Sequence, residues 1–202
     1  MTHLRSALGL VLCGTALLAS CRSPDRSAEN GTTAQVVDSV VPWDTALARF
    51  RDGMAEPDSL TGGAASLEGL IERFVTLLER ADTAALATLM LTRAEFAYLY
   101  YPWVPEARPP YDLRPGLMWF MIEGDSQKGL GTALEERGGR PLEYVGYRCA
   151  EPTRRMGENT LYPLCLVRRL QTAGDTVEER MFGPIVERDG RFKFVSLANK
   201  LS

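Results

Sequence analysis

Histidine is almost missing from this chain: His3 is the only one among 202 residues. Without imidazole, residues 4–202 cannot form a Ser-His-Asp triad, supply a histidine general base or offer a histidine metal ligand. Proton transfer would fall to carboxylates, tyrosines or lysines. A glycine-rich phosphate loop is also missing, because Gly129 and Gly131 lie in a predicted helix with no strand before it. We therefore expect no cofactor and identify no catalytic residue.

Positive charge is not in excess, and the apolar run at the N-terminus is short. Lys and Arg number 23 against 26 Asp and Glu, which gives a net charge of −3. No basic stripe is present, so the sequence does not predict a nucleic-acid-binding surface. The apolar stretch over residues 7–20 is shorter than the roughly 20 residues that span a bilayer.

The N-terminus has an arginine, an apolar stretch and the tetrapeptide Leu-Ala-Ser-Cys at residues 18–21. A basic start, a short apolar core and small residues before a cut are typical of a secretory signal. With a cysteine at position 21, the segment resembles a bacterial lipoprotein signal. The resemblance implies removal of residues 1–20, acylation of Cys21 and a lipid anchor in the membrane. The alternatives are an ordinary signal peptide and a buried helix.

The residue after Cys21 refines the expected location. In Gram-negative lipoproteins an aspartate there resembles an inner-membrane retention signal, and this chain has Arg22. We expect a lipid-anchored envelope protein on the outer membrane, facing the periplasm. That compartment is oxidising, so the remaining Cys149 and Cys165 are predicted to form a disulfide. The alternative is a pair of buried free thiols; no metal site is expected, because a structural zinc needs four ligands.

Composition divides the rest of the chain into a tether and a domain. Residues 21–62 are rich in Ser, Thr, Gly, Asp and Pro, and predict a flexible tether. Within them, Trp43, Leu47 and Phe50 have the spacing of an apolar helical stripe. That segment is either a short helix docked on the domain or part of the tether. Residues 63–202 suit one domain with one core.

Four helices are predicted in the first half of the domain, each opened by a residue that suits a helix N-terminus. The openings are an N-cap serine, an N-cap aspartate, a Thr-x-x-Glu capping box and a proline. In chain order they are Ser66, Asp82, Thr92 with Glu95, and Pro115. Pro102 ends the third helix and Gly138-Gly139 ends the fourth.

From residue 142 the apolar period becomes that of strands. Four strands are predicted, at residues 142–150, 160–170, 176–188 and 191–201. Turns are predicted around Gly157, at Ala173-Gly174 and at Asp189-Gly190. These turns place Cys149 opposite Cys165 on neighbouring strands. In the next strand pair they place Pro163 opposite Pro184, and two facing prolines predict a bend.

Helices followed by a bent antiparallel meander predict an α+β fold. The element order, the long amphipathic first helix, the helix start at 82–86 and the ending at 189–194 resemble the nuclear-transport-factor-2-like superfamily, also called the cystatin-like α+β fold. The resemblance covers residues 64–201. It implies N-terminal helices packed on one bent four-stranded antiparallel sheet, with a conical cavity between them. Members include ketosteroid isomerases, dehydratases and many binding modules, and no catalytic signature of theirs occurs here at a matching spacing.

Two groups of side chains are candidates for that cavity. Tyr100, Tyr101 and Trp103 belong to a dense aromatic segment that suits the wall of an apolar pocket. Asp125 and Lys128 lie in the middle of the fourth predicted helix, beside its apolar stripe. The alternatives are core packing for the aromatic residues and a solvent-exposed pair for Asp125 with Lys128.

These expectations favour a non-enzymatic module held at the membrane by its lipid anchor. Its expected partner is a small apolar or amphipathic ligand, or another protein of the envelope. The alternative is an enzyme of isomerase or hydrolase type in which a cavity carboxylate, Asp125, works with a tyrosine.

Overall fold

The computed structural model describes residues 41–151, 153–171 and 174–202. The predicted signal, Cys21 and Arg22 lie outside these residues, as does Ala173 of one predicted turn. The described part has the predicted α+β fold, with helices followed by antiparallel strands. Within it, no helix combines the length and the apolar character needed to cross a membrane.

Five α-helices precede the strands in the described part, and the capping residues predicted for four of them are confirmed. The helices are α1 (Trp43–Arg51), α2 (Leu67–Glu79), α3 (Thr83–Ala87), α4 (Arg93–Glu95) and α5 (Pro115–Arg137). The Ser66 hydroxyl accepts a hydrogen bond from Gly69 N at 3.0 Å, and both bonds of the Thr92–Glu95 capping box are present. After α4 the chain continues as a π-helical turn, Phe96–Tyr100, and a 3₁₀ turn, Tyr101–Trp103.

The segment with the Trp43, Leu47 and Phe50 stripe is helical: it forms α1. Leu47 is buried in an apolar cluster, and Trp43 and Phe50 pack against that cluster. The guanidinium of Arg51 donates to the Ala97 carbonyl from Nε at 3.1 Å and from Nη2 at 2.9 Å. Apolar burial and these two hydrogen bonds fix α1 to the π-helical turn.

The strands form two antiparallel sheets rather than the single four-stranded sheet expected. The described residues contain seven strands: β1 (Tyr144–Cys149), β2 (Arg154–Met156), β3 (Asn159–Tyr162), β4 (Cys165–Leu170), β5 (Thr176–Glu179), β6 (Ile185–Arg188) and β7 (Arg191–Phe194). One sheet has the order β1-β4-β5 and the other β2-β3-β6-β7. Each of the predicted strands at 160–170 and 176–188 is therefore broken into two.

The two facing prolines explain the division. Tyr162 pairs with Ile185, and this register sets Pro163 level with Pro184, as predicted. Proline has no N–H to give to a ladder, so neither strand can continue its hydrogen bonding through this level. The expected bend is thus a complete break between β3 and β4 and between β5 and β6.

Register elsewhere agrees with the sequence in two of four places. Between β2 and β3 the register expected from a turn centred on Gly157 is wrong by one residue, because Arg154 pairs with Leu161 rather than Thr160. Cys149 pairs with Cys165, and Arg188 pairs with Arg191 across the Asp189-Gly190 turn, as predicted. Between β4 and β5 the expected register is wrong by one residue, because Val167 pairs with Glu179 rather than Arg180. The observed register lets the buried Glu179 carboxylate accept from Arg169 Nε at 2.6 Å and from an α5 arginine, Arg137 Nη2, at 2.7 Å.

The apolar core forms two clusters in place of the one expected. The first gathers around α2, where Phe74 packs edge-on against Phe182 and Phe194 at 5.5 and 5.4 Å between ring centres. The second gathers around the fully buried Phe96 and Tyr101 of the helical turns and includes Leu47. The disulfide is confirmed: Cys149 and Cys165 are joined.

Candidate functional site

A cavity of about 350 Å³ lies beside Tyr100. Its size falls within the roughly 300–1,000 Å³ of small-molecule sites. Most of its wall is apolar: Val104, Met118, Ile122, Met156, Leu161, Pro163, Pro184 and Val195. The polar groups on the wall are few: Tyr100, Glu106, Arg154 and Ser196. An apolar chamber with a small number of placed polar groups is the usual form of a ligand-binding site. We call it the Tyr100 cavity.

The break in the sheet builds one wall of the Tyr100 cavity. Pro163 and Pro184 both line it, at the level where the two sheets separate. The π-helical turn supplies Tyr100, and Tyr101 N donates to Phe96 O to close that turn. A π turn is wider than an α turn and shifts the side chains that follow it; such turns are frequent at functional sites. Two local irregularities of the backbone therefore shape this cavity.

Tyr100 lines the cavity and carries a protonated hydroxyl. Burial raises the pKa of the Tyr100 phenol well above its usual value; the negative charge of Glu106 adds to the rise and Arg154 opposes it. The phenol therefore stays neutral near pH 7 and can donate its proton to a carbonyl or carboxylate oxygen. Arg154 is exposed and carries a permanent positive charge at the same cavity. Tyr100 and Arg154 thus suit an oxygen-rich or anionic head group, while Glu106 adds a negative charge to the same wall.

The other aromatic candidates have structural positions. Tyr101 is fully buried, its hydroxyl donates to the Leu113 carbonyl at 2.7 Å, and its ring stacks on Trp43 with 6.0 Å between ring centres. Trp103 is partly exposed and lies directly over Gly157, where a Cβ would come within 2.1 Å of its ring. Tyr100 is thus the member of this group that lines the cavity.

The structure places Asp125 and Lys128 elsewhere. Asp125 lines a separate polar cleft of about 310 Å³ with Arg180 and Lys200. Its Oδ1 accepts a hydrogen bond from Asn199 Nδ2 at 2.6 Å. Lys128 is exposed on α5. Asp125 and Tyr100 therefore lie in different cavities, and the predicted grouping of a tyrosine with Asp125 does not form around Tyr100.

Three polar residues of the Tyr100 cavity were not predicted as pocket residues from the sequence: Glu106, Arg154 and Ser196. Arg154 could have been found, because it lies two residues before Met156 and strand alternation puts both on one face. Glu106 could not, because it lies in an irregular proline-rich loop where no periodicity assigns a direction. The carboxylate of this cavity is thus Glu106 and not the predicted Asp125.

Comparison with known proteins adds no assignment. The chain matches no protein-family model, no curated protein and no solved structure. In the part of the chain that the structure describes, no three side chains of His, Cys, Asp or Glu are grouped to hold a metal ion. The candidate function is therefore argued from the geometry of the Tyr100 cavity.

Proposed function

We propose that this protein is a lipid-anchored module of the cell envelope that binds a small amphipathic ligand in the Tyr100 cavity. The observation that carries the proposal is a cavity of about 350 Å³ with an apolar wall and four polar residues. The ligand would have an apolar body against Met118, Ile122 and Leu161. Its carbonyl or anionic head would accept from the Tyr100 hydroxyl and pair with Arg154.

One feature of the sequence supports the lipid anchor, and a second feature supports an oxidising compartment. Leu-Ala-Ser-Cys at residues 18–21 follows an apolar stretch, in the form of a lipoprotein signal. The Cys149–Cys165 disulfide fits an oxidising compartment such as the periplasm. Arg22 favours the outer membrane.

A relationship to the nuclear-transport-factor-2-like superfamily is part of the proposal. Helices that precede antiparallel strands, and a cavity lined by residues from both, support it. The division into sheets of three and four strands is a departure from the expected pattern.

Catalysis of isomerase or hydrolase type is the second candidate. The observation that favours it is a neutral Tyr100 phenol with the Glu106 carboxylate on the same cavity wall. The enzyme would use Glu106 in place of Asp125 as its carboxylate. Glu106 is exposed to solvent. Its position therefore suits a ligand contact at the rim of the cavity better than a general base, which works best in a site without water.

A titration with 8-anilinonaphthalene-1-sulfonate tests the binding site, since this probe joins an apolar body to an anionic head. We expect saturable one-to-one binding that Val104→Phe weakens by about tenfold, or roughly 1.4 kcal/mol. Val104 is buried in the cavity wall, so a phenyl group there fills the space for the probe. Arg154→Gln should weaken binding several-fold without altering the core.

Two matched controls accompany these variants. Val145→Phe makes the same change at an exposed position of β1, and Arg191→Gln removes the same charge at an exposed position of β7. Both should bind the probe like the wild type. Equal binding by Val104→Phe and Val145→Phe, with unchanged melting temperatures, would place the probe outside the Tyr100 cavity and contradict the proposal.

A further inference from the structure

Three arginines surround a groove where α1 meets the start of α5. The groove has a volume of about 480 Å³, and Arg49, Arg93 and Arg114 line it. Among the described residues that form its wall none is acidic, and none of the three arginines takes part in an ion pair with another described residue. We call it the basic groove. The described part of the protein thus gives these three arginines no carboxylate partner within 4.0 Å.

Two of the arginines are held in position by other contacts. Arg114 Nη1 donates to the Val41 carbonyl, and the guanidinium of Arg93 lies over the Phe50 ring, 4.7 Å from its centre. A guanidinium has five N–H donors, so each contact leaves several free. Arginine held in this way suits a phosphate, which it can contact through two parallel hydrogen bonds.

The start of α5 adds to the positive potential. Pro115 and Gly116 line the basic groove at the first turn of this 23-residue helix, and no side chain caps that end. Free N–H groups and the helix dipole make the N-terminus of a helix favourable for an anion.

An exposed apolar face begins in the first turn of α5, directly after Gly116. Leu117, Phe120 and Met121 are 51%, 71% and 51% exposed, and their spacing puts them on one side of the helix. Gly116, at the basic groove, and Phe120 are four residues apart and therefore neighbours on the helix surface. We call these three residues the apolar face. Basic and exposed apolar groups are thus continuous over the first two turns of α5.

We propose that the basic groove and the apolar face together dock on an anionic phospholipid bilayer. The three arginines would bind headgroup phosphates, while Phe120 and its neighbours would enter the boundary between headgroups and acyl chains. Cationic and apolar side chains on one surface are the combination that interfacial helices use. Val41, where the chain coming from Cys21 enters the described domain, lies in the groove itself. The inference deepens the proposed lipid anchor and rests on it for the membrane location.

The test uses the mature chain with Cys21→Ser, which carries no acyl group, and sedimentation with lipid vesicles. We expect binding to vesicles of phosphatidylethanolamine and phosphatidylglycerol that weakens as salt rises, and little binding to pure phosphatidylcholine. Arg49→Gln should weaken binding about fivefold. Phe120→Ser should weaken it further, and both side chains are exposed, so the fold should tolerate each change. Arg191→Gln and Val145→Ser are the matched controls and should bind like the parent.

Three kinds of result would overturn the docking surface. One is failure of the expected binding pattern: either no salt-dependent binding to the anionic vesicles, or control variants that lose as much binding as Arg49→Gln and Phe120→Ser do. Another is unchanged binding in Phe120→Ser with full competition by inorganic phosphate, which indicates a site for free anions only. A third is a dimer in solution that Phe120→Ser dissociates, which indicates a protein interface. Because the tested chain is not acylated, each result is independent of whether Cys21 anchors the native protein.

Discussion

Lys193→Met should lower the free energy of unfolding by about 3–5 kcal/mol, as expected when one partner of a buried ion pair is removed. Lys193 Nζ donates to Glu95 Oε2 at 2.7 Å, and both side chains are 1% exposed. The same carboxylate accepts from Thr61 N at 2.6 Å and from Thr92 N at 2.7 Å. The pair therefore ties the loop before α2 and the start of α4 to strand β7, and its loss leaves a buried charge with fewer partners.

The pair also predicts how stability depends on pH. Burial works to raise the pKa of Glu95, but hydrogen bonds from Lys193, Thr61 and Thr92 more than offset it, so the pKa lies below its ordinary value of 4.5. The folded protein thus binds a proton at Glu95 less readily than the unfolded chain. The stability from this carboxylate is complete above pH 4.5 and is lost as pH falls through the lower, folded pKa. Lys193→Met should reduce this acid dependence.

Urea unfolding of variants measures both effects. The control Lys200→Met removes an exposed lysine and should cost less than about 0.5 kcal/mol. The double variant with Glu95→Gln and Lys193→Met should cost less than the sum of its single changes, because no unpaired charge is left inside. A cost for Lys193→Met equal to that of Lys200→Met would show that the buried pair does not hold the elements together.

Replacing both cysteines of the disulfide by alanine should cost about 3 kcal/mol of stability. Cys149 and Cys165 are 16 residues apart, so the bond closes a loop whose freedom in the unfolded chain it restricts. Cys165 is completely buried, and alanine avoids leaving a hydroxyl there without a partner. For a domain of this size the melting temperature should fall by roughly 6–12 °C.

Thermal melts with and without dithiothreitol check this result. The reductant should lower the melting temperature of the wild type to that of the double alanine variant. The double variant itself should not respond to the reductant. A wild-type melting temperature that stays the same after full reduction would contradict the stabilising role of the disulfide.

Local signals in the sequence predicted much of the fold. Ser66, Asp82 and the Thr92–Glu95 box begin helices because each satisfies backbone N–H groups within a few residues. Asp189-Gly190 makes its hairpin because both residues adopt positive φ angles, 51° and 72°. Cys149 pairs with Cys165 as expected from a turn centred on Gly157, although the β2–β3 hairpin at that turn is shifted by one residue. Such features depend on neighbours in the sequence, so they can be found without the fold.

Features that depend on distant residues were not predicted. Glu95 was assigned to a capping box only, and its ion pair with Lys193 joins residues 98 positions apart. Pro163 and Pro184 were placed opposite each other, yet only the packed structure shows that they end both strands and divide the sheet. The π-helical turn at Phe96–Tyr100 has the apolar spacing of an ordinary helix.

Only part of the candidate site was predicted, because its residues come together from distant positions in the sequence. Tyr100 lies in a dense aromatic segment and does line a cavity. Asp125 was expected beside the apolar stripe of α5, but its position around the helix axis places it in a different cleft. The arginines of the basic groove come from α1, α4 and the residue before α5, so no segment of the sequence shows them as a group.

A native mass spectrum of protein extracted from its own membrane tests the lipid anchor and the bound ligand together. We expect a chain that begins at an acylated Cys21 and carries one non-covalent small molecule. The bound small molecule should remain on Val145→Phe and be strongly reduced on Val104→Phe, because the phenyl group occupies space in the Tyr100 cavity. An unmodified N-terminus would contradict the anchor. A wild-type spectrum without a bound small molecule would contradict a ligand-binding role for the Tyr100 cavity. So would a small molecule bound equally to both variants.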